Sequence, residues 1–179
     1  DAVTRGIGNL ERHLESLRHF GVPGIVALNR FGADSAEEIE RVRSFCEKAE
    51  VPFAESNHFA DGGKGAVALA EAVVKHADPS AKLRPIYTWD QPVVDKIEAV
   101  ARNIYGAAEV VLTADARAAL KRIERMGFAE LPICIAKTQS SLSDDPRLLG
   151  RPRDFTITVR DLKVNTGATG KYKLRANDP

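Results

Sequence analysis

The chain alternates between segments with helical periodicity and short, uninterrupted apolar runs, and this alternation constrains its fold more than any other feature. Residues 8–20 place leucines at helical spacing, and the apolar run 24–28 follows them. A second run, 51–54, comes after a helical segment that opens at Ser35 with Glu38 three residues later, the pattern of a capping box. Runs this short are typical of strands buried on both faces of a parallel sheet. The order therefore predicts an α/β protein that begins with a parallel βαβ (Rossmann-like) lobe.

Polar loops follow both predicted strands, at residues 29–34 and 55–65. Because ligands of parallel sheets bind beyond the carboxyl ends of the strands, we expect the two loops to lie on the same edge. Each loop carries an aromatic residue, Phe31 in the first and Phe59 in the second. An aromatic ring in a loop either packs back on the core, which is the commoner outcome, or covers a flat ligand. The residues alone leave both alternatives open.

A proline-containing linker at 78–92 predicts a boundary between two lobes, 1–90 and 91–179. The second lobe is expected to be a smaller α/β unit, with helices at 93–105 and 114–126 and strands at 110–112, 131–136 and 155–164. Residues 166–179 are rich in Gly, Lys and Asn, and they predict no regular element.

The composition argues against several classes of partner and site. Lys and Arg number 26 against 25 Asp and Glu, so the basic excess that nucleic-acid and membrane-surface binders usually have is missing. The two cysteines lie far apart, and with the four histidines they form no close cluster, so neither a disulfide framework nor a metal site is predicted. No apolar run approaches the ~20 residues of a membrane span, and no signal peptide is visible. We therefore expect a cytoplasmic protein.

Two segments contain the residue types of a polar site. Residues 61–65 (Asp-Gly-Gly-Lys-Gly) precede a helix as phosphate-binding loops do, but the spacing differs, and glycine stands where Ser or Thr should follow the lysine. A flexible turn is the favoured interpretation. Residues 137–146 bring a lysine out of a buried strand, followed by hydroxyls and carboxylates. A polar site at the strand end and a solvated loop capped by Ser143 or Asp144 account for this segment equally well.

A series of motifs between residues 7 and 162 resembles the formate–tetrahydrofolate ligases. The motifs include Asn-Leu-Glu-Arg-His at 9–13, Ala-Leu-Asn-Arg-Phe at 27–31, His-Phe-Ala-Asp-Gly-Gly-Lys-Gly at 58–65, Ile-Tyr-Gly-Ala at 104–107, Leu-Pro-Ile-Cys-Ile-Ala-Lys-Thr-Gln at 131–139, Leu-Ser-Asp-Asp-Pro at 142–146, Leu-Gly-Arg-Pro at 149–152 and Phe-Thr-Ile-Thr-Val-Arg at 155–160. They occur in the family's order, and so many matches in one order argue against chance.

The resemblance implies a ligase of one-carbon metabolism that uses ATP and Mg²⁺ to join formate to tetrahydrofolate. ATP phosphorylates formate to formyl phosphate, and the folate amine then attacks the formyl carbon to give 10-formyltetrahydrofolate. The phosphate-binding loop, where the catalytic residues are expected, belongs to the family's N-terminal region, and the resemblance covers the C-terminal part. The isolated chain is therefore expected to be inactive unless that region complements it. Family members are homotetramers, so a homo-oligomer is implied as well.

Site residues also follow from the resemblance. The aromatic after Asn29 and Arg30 and the aromatic before Ala60 enclose the pterin ring in the family, which implies folate-binding roles for Phe31 and Phe59. Family members typically have Trp at the second position and Pro where Gly32 stands, so weaker or altered folate binding is expected here. A further segment is implied to border the ATP adenine and ribose; it comprises Arg151, Pro152, Arg153 and Asp154.

The end of the chain departs from the family pattern. The family continues after residue 160 into an apolar tail containing Met-Pro-Gly-Leu-Pro, and residues 166–175 do not match it. A rival hypothesis stays open, in which the chain is a non-catalytic folate-binding or regulatory module, or a degenerate fragment. Mixing the chain with a partner that carries the phosphate-binding loop separates these hypotheses, since only a ligase portion predicts restored synthesis of formyltetrahydrofolate.

Overall fold

The computed structural model describes residues 2–135, 142–165 and 171–175. The chain divides into two compact units, Asp1–Arg84 and Pro85–Pro179. The first unit contains α1 (Ala2–Phe20), β1 (Val26–Asn29), α2 (Ala36–Lys48), β2 (Phe53–Ser56), α3 (His58–Asp61), a 3₁₀ turn (Gly62–Ala66) and α4 (Val67–His76). The second contains α5 (Val93–Val100), a π-helical turn (Ala101–Tyr105), β3 (Glu109–Leu112), α6 (Ala114–Arg125), β4 (Ile133–Ile135), β5 (Thr156–Val159), β6 (Asp161–Asn165) and β7 (Lys171–Arg175). Helices mixed with short parallel sheets confirm the predicted α/β class.

The first unit is built on a βαβ arrangement. Strands β1 and β2 pair in parallel, from Val26 opposite Phe53 to Asn29 opposite Ser56, and α2 connects them. Leu14 of α1, Val26 of β1 and Cys46 of α2 form the buried core, with partly buried side chains around them. The short apolar runs of the sequence thus become adjacent parallel strands, as the βαβ prediction requires.

Local sequence signals set both ends of α2. The Ser35 side chain accepts from the Glu38 amide while the Glu38 carboxylate accepts from the Ser35 amide at 3.0 Å, so the predicted capping box is present. At the other end, the Val51 amide donates to the Cys46 carbonyl at 2.9 Å, the six-to-one bond of a Schellman motif. Glu50 occupies the left-handed position of that motif with φ 54°, a conformation that favours glycine.

The second unit has two small sheets. Strands β3 and β5 pair in parallel, from Glu109 opposite Thr156 to Leu112 opposite Val159. In the other sheet β7 lies between β4, to which it is parallel, and β6, to which it is antiparallel. A buried cluster from α5, α6, β5 and β6 forms the main core of this unit: Val93, Ile97, Ala116, Ala119, Ile123, Val159 and Leu162.

Two predictions for the second unit were wrong in detail, and one segment without a predicted element is a strand. The segment 155–164 is two strands, β5 and β6, because the chain leaves one sheet for the other at Arg160. Residues 171–175, for which the sequence indicated no regular element, form β7, since pairing with the preceding strand β6 and with the distant β4 decides a structure that local composition does not indicate. The helix expected at 93–105 changes at Ala101 into a π-helical turn, which ends at Gly106 with φ 81°.

Lys96 of α5 is a fully buried cation in the second unit. Its ammonium donates to the backbone carbonyls of Trp89 at 2.7 Å, Ala129 at 2.7 Å and Leu131 at 3.3 Å, which uses all three of its protons. Burial lowers the pKa of this amine, and the charges of Glu130 and Asp90 oppose that shift. Lys96 thereby joins the start of the unit to the loop that leads into β4.

Candidate functional site

The carboxyl ends of β1 and β2 lie side by side and form the edge from which both aromatic loops leave. The register ends with Asn29 opposite Ser56, and the Arg30 amide donates to the Ser56 carbonyl at 2.9 Å, one residue beyond the strands. The two loops therefore begin at the same edge of the parallel pair, as the sequence predicted. We name this edge, with the residues 30–34 and 57–65 that follow it, the strand-end rim.

The first loop is a tight turn that leaves its aromatic ring in solvent. The Phe31 amide donates to the Asp34 carboxylate at 2.7 Å, and the Asp34 amide donates back to the Phe31 carbonyl at 3.0 Å. Phe31 is 63% exposed, so its ring does not pack on the core. Gly32 is the second residue of the turn, and a Cβ built there meets nothing within 4 Å. The turn thus has room for a larger residue at Gly32.

The second loop is more ordered than predicted. In place of an irregular stretch at 55–65, the chain forms the one-turn helix α3 and the 3₁₀ turn. Asn57 holds this segment together, because its backbone amide donates to the Gly65 carbonyl at 2.9 Å and its side-chain amide donates to the Asp61 carboxylate at 2.6 Å. Elements this short have no apolar periodicity, so the pattern analysis had no signal for them. Phe59, on α3, is 88% exposed.

The glycines of the Asp-Gly-Gly-Lys-Gly motif have backbone roles. Gly62 has φ 57°, in the region that favours glycine. A Cβ at Gly65 would lie 2.4 Å from the Asn57 carbonyl oxygen, a contact between backbone atoms that no side-chain movement relieves. Both positions therefore require glycine for the turn itself. This agrees with the interpretation of the motif as a turn, and it makes a phosphate ligand unnecessary as an explanation.

A buried serine orients a histidine beside Phe59. Ser56 is 2% exposed, and its hydroxyl oxygen lies 3.0 Å from Nδ1 of the exposed His58. This hydrogen bond uses Nδ1 of the imidazole ring and not Nε2. Pattern analysis gave no role to Ser56, because the residue fell in the predicted loop 55–65 and its spacing of two from His58 is not itself a motif.

Charges near the rim are paired within the first unit. Glu55 of β2 forms an ion pair with Arg43 of α2 and lies 3.7 Å from the Arg30 guanidinium. The Arg43 guanidinium also lies over the Phe53 ring, 4.9 Å from its centroid. Glu55 thus neutralises part of the positive charge at the start of the first loop.

The polar segment of the second unit is only partly described, since residues 137–141 lie outside the described residues. Ser143 is buried and caps a turn, its hydroxyl accepting from the Asp145 amide at 3.0 Å. Asp144 is buried too, and its carboxylate accepts from the Thr158 amide of β5 at 3.1 Å. Hydrogen bonds from Arg147 lower the pKa of Asp145 to about 2. Of the two capping residues considered, Ser143 caps the turn, whereas Asp144 is buried and bonds to β5.

The four-residue segment 151–154 lies at the amino end of β5, separated from it by Phe155. Gly150, which precedes the segment, has φ 70°, and Asp154, its last residue, has φ 52°, so the backbone is left-handed at both ends. The arginine at 153 is exposed and that at 151 is half-buried. This position differs from that of the aromatic loops, which leave the carboxyl ends of their strands.

The described ranges contain neither a cluster of metal ligands nor a membrane-spanning helix. They hold no group of three or more His, Cys, Asp or Glu side chains placed to bind a metal ion. None of their helices has the length and apolar character to cross a bilayer. Both cysteines are free: Cys134 is exposed, and Cys46 is buried, which raises the pKa of its thiol.

Comparison with known proteins identifies the family. The family model described as formate–tetrahydrofolate ligase matches residues 1–176. The chain belongs to the formate–tetrahydrofolate ligase family. The formate–tetrahydrofolate ligase of Phocaeicola vulgatus is 46% identical over 170 residues, which are 94% of this chain and 31% of that protein. Those of Caldicellulosiruptor saccharolyticus and Granulibacter bethesdensis are 44% and 43% identical, each over 94% of this chain and 30% of their own length.

Membership of the ligase family confirms the resemblance drawn from the motifs and extends it. The motifs ended at residue 162, whereas the family match continues to residue 176 and so includes much of the segment that departs from the expected apolar tail. The chain spans less than a third of the length of these formate–tetrahydrofolate ligases.

Proposed function

We propose that this chain supplies the folate-binding portion of a formate–tetrahydrofolate ligase, an enzyme that makes 10-formyltetrahydrofolate from formate, tetrahydrofolate and ATP through formyl phosphate. The observation that carries the proposal is the pair of exposed rings on the strand-end rim. Phe31 and Phe59 are 63% and 88% exposed, and they follow the carboxyl ends of two adjacent parallel strands. Aromatic area left in water at the edge where such sheets bind ligands is suited to a flat heterocycle.

In this proposal the two rings cover the faces of the pterin and exclude water from it. Stacking contributes about 0.5–1.5 kcal/mol for each aromatic pair beyond the area that it buries. The turn hydrogen bonds at Asp34 hold the backbone of Phe31, and α3 holds the backbone of Phe59, so both loop backbones are ordered before the folate binds. A loop backbone that is already ordered loses little conformational entropy on binding, which favours affinity.

The phosphoryl chemistry is assigned to the part of the ligase outside this chain, and the proposed site of action is the cytoplasm. ATP would supply the phosphoryl group that activates formate. The segment of Arg151, Pro152, Arg153 and Asp154 is proposed to border its adenine and ribose. The described residues hold no cluster of three or more His, Cys, Asp or Glu side chains for Mg²⁺, and we propose that residues outside this chain bind the metal. Formyltetrahydrofolate synthesis is expected only when the chain is combined with the portion that carries the phosphate-binding loop. We propose that the complete ligase is a homo-oligomer.

Calorimetric titration with tetrahydrofolate tests the folate-binding role. We expect saturable binding that Phe31→Ala and Phe59→Ala each weaken by about three- to ten-fold or more. Trp89→Ala is the matched control, because Trp89 is also an exposed aromatic, at 61%, but belongs to the other unit. Binding that neither phenylalanine substitution changes would reject the rim as the site. Failure of a folded chain to bind at all would reject the proposal that its two rings suffice.

A further inference from the structure

Helix α4 (Val67–His76) has an apolar face that the described structure leaves in solvent. No residue of this helix is buried, although its sequence is the most apolar of the longer helices. Val67, Val73 and Val74 are 51%, 46% and 82% exposed, and Ala70 between them is exposed as well. We call these four residues the α4 outer face. An apolar face of a helix is normally buried against another element.

The geometry of the helix separates this face from the side that packs within the unit. At about 100° per residue, the four side chains fall within a sector of about 120°. Leu69 and Ala72, the half-buried positions of α4, fall outside that sector and lie on the side that faces β2. Helix α2 of the same unit provides a contrast, because its exposed positions are mostly charged, as at Glu37, Glu40 and Arg41.

The size of the face decides what kind of partner can cover it. Ten residues span about 15 Å, and a helix face is about 10 Å wide, so it offers on the order of 150 Å². A stable contact between separate chains needs about 800 Å² on each side. A patch this small is sufficient when its partner belongs to the same polypeptide, because the effective concentration is then high.

We propose that the α4 outer face packs against the part of the ligase polypeptide that lies outside the matched stretch. The matched relatives are about three times as long as this chain, so roughly 70% of such a ligase is available to cover the face, in the same polypeptide. In this proposal the partner surface is apolar and belongs to the same ligase polypeptide. The inference depends on membership of the family and is independent of folate binding, so either can fail without the other.

Cysteine labelling measures directly whether the α4 outer face is buried. Val74→Cys is placed in the 179-residue chain and in the Phocaeicola vulgatus ligase that carries residues 1–176 in place of its matching stretch. Maleimide labelling at position 74 is followed by mass spectrometry of the peptide, which separates it from Cys46 and Cys134. We expect rapid labelling in the short chain and labelling slower by about ten-fold or more in the long one. Lys75→Cys, exposed on the polar side of α4, is the control and should label equally in both.

The same comparison includes outcomes that overturn the proposal. Equal labelling at position 74 in the short and long polypeptides would show that the rest of the ligase leaves the face in solvent. Labelling that slows in the short chain as its concentration rises would assign the face to a second copy. Circular dichroism checks that each polypeptide is folded. Should the chimera not fold, residues 1–179 coexpressed with the remaining part of that ligase give the same measurement, with the same two opposing results.

Discussion

Replacement of Lys96 by methionine removes the one charged group that is fully buried in the described part of the second unit. Methionine keeps most of the aliphatic stem, so the packing of α5 changes little, and the loss is confined to the ammonium. Its three acceptors are the carbonyls of Trp89, Ala129 and Leu131. The substitution therefore tests how much these three hydrogen bonds stabilise the unit.

The expected cost follows from the surroundings of those carbonyls. Trp89 lies in an exposed segment, so water can replace its lost donor, whereas Ala129 and Leu131 are partly buried against the core. A buried polar group without a partner costs about 1–3 kcal/mol. Two such groups would cost about 2–6 kcal/mol, and release of the desolvated charge offsets part of that sum. We expect Lys96→Met to lower the free energy of unfolding by about 2–4 kcal/mol.

Urea denaturation followed by tryptophan fluorescence measures this change, because the chain has one tryptophan and it belongs to the second unit. Lys121→Met is the matched control: Lys121 is an exposed lysine on α6, and its loss should change the free energy of unfolding by less than about 0.5 kcal/mol. A loss of under about 1 kcal/mol for Lys96→Met would refute the argument, since water would then have to satisfy all three carbonyls.

Three further predictions concern pH, a helix end and the rim. Burial lowers the pKa of Lys96 from 10.5, so unfolding takes up a proton at pH values between the lowered pKa and 10.5. In that range the unfolding free energy of the unmodified chain should rise with pH relative to that of Lys96→Met. A difference between the two that stays constant with pH would contradict this. Glu50→Gly should raise the unfolding free energy in urea by about 0.5–1 kcal/mol by relieving the positive φ, and a loss would count against that strain. Phe59→Trp, alone or with Gly32→Pro in the open turn, should tighten tetrahydrofolate binding several-fold by calorimetry. Unchanged affinity would mean that these departures from the family do not weaken the site.

The first unit shows which features local sequence could predict. The capping box at Ser35 and the parallel strands of the βαβ unit follow from signals contained in a few neighbouring residues. The shared edge of the two loops follows from strand direction alone. The one-turn helix that carries Phe59 was missed, because it is formed by backbone bonds to the Asn57 carbonyl and closed by the bond from Asn57 to Gly65, and such bonds have no signature in residue type.

In the second unit, long-range pairing decided what local pattern could not. The alternation of 155–164 was compatible with one strand, and the break at Arg160 exists because β5 pairs with β3 while β6 pairs with β7. The burial of Lys96 could not be predicted either, because a lysine within a helix is usually solvated. Its three acceptors come from residues up to 35 positions away. The candidate site itself came from the family resemblance, since the residues alone left core packing and ligand binding open for both aromatics.

The exposure of the rim aromatics makes folding and binding separable in experiments. The core of the first unit consists of Leu14, Val26 and Cys46 with the side chains around them, and neither Phe31 nor Phe59 belongs to it. Because these rings are already mostly in water, their removal takes little apolar area out of the folded state and should leave the unit stable. A loss of folate affinity in either alanine variant then reports on contact with the ligand and not on unfolding. The same reasoning applies to Val74, whose exposed side chain contributes nothing to the core of the isolated chain, so any protection it gains in the full ligase must come from a surface outside this chain.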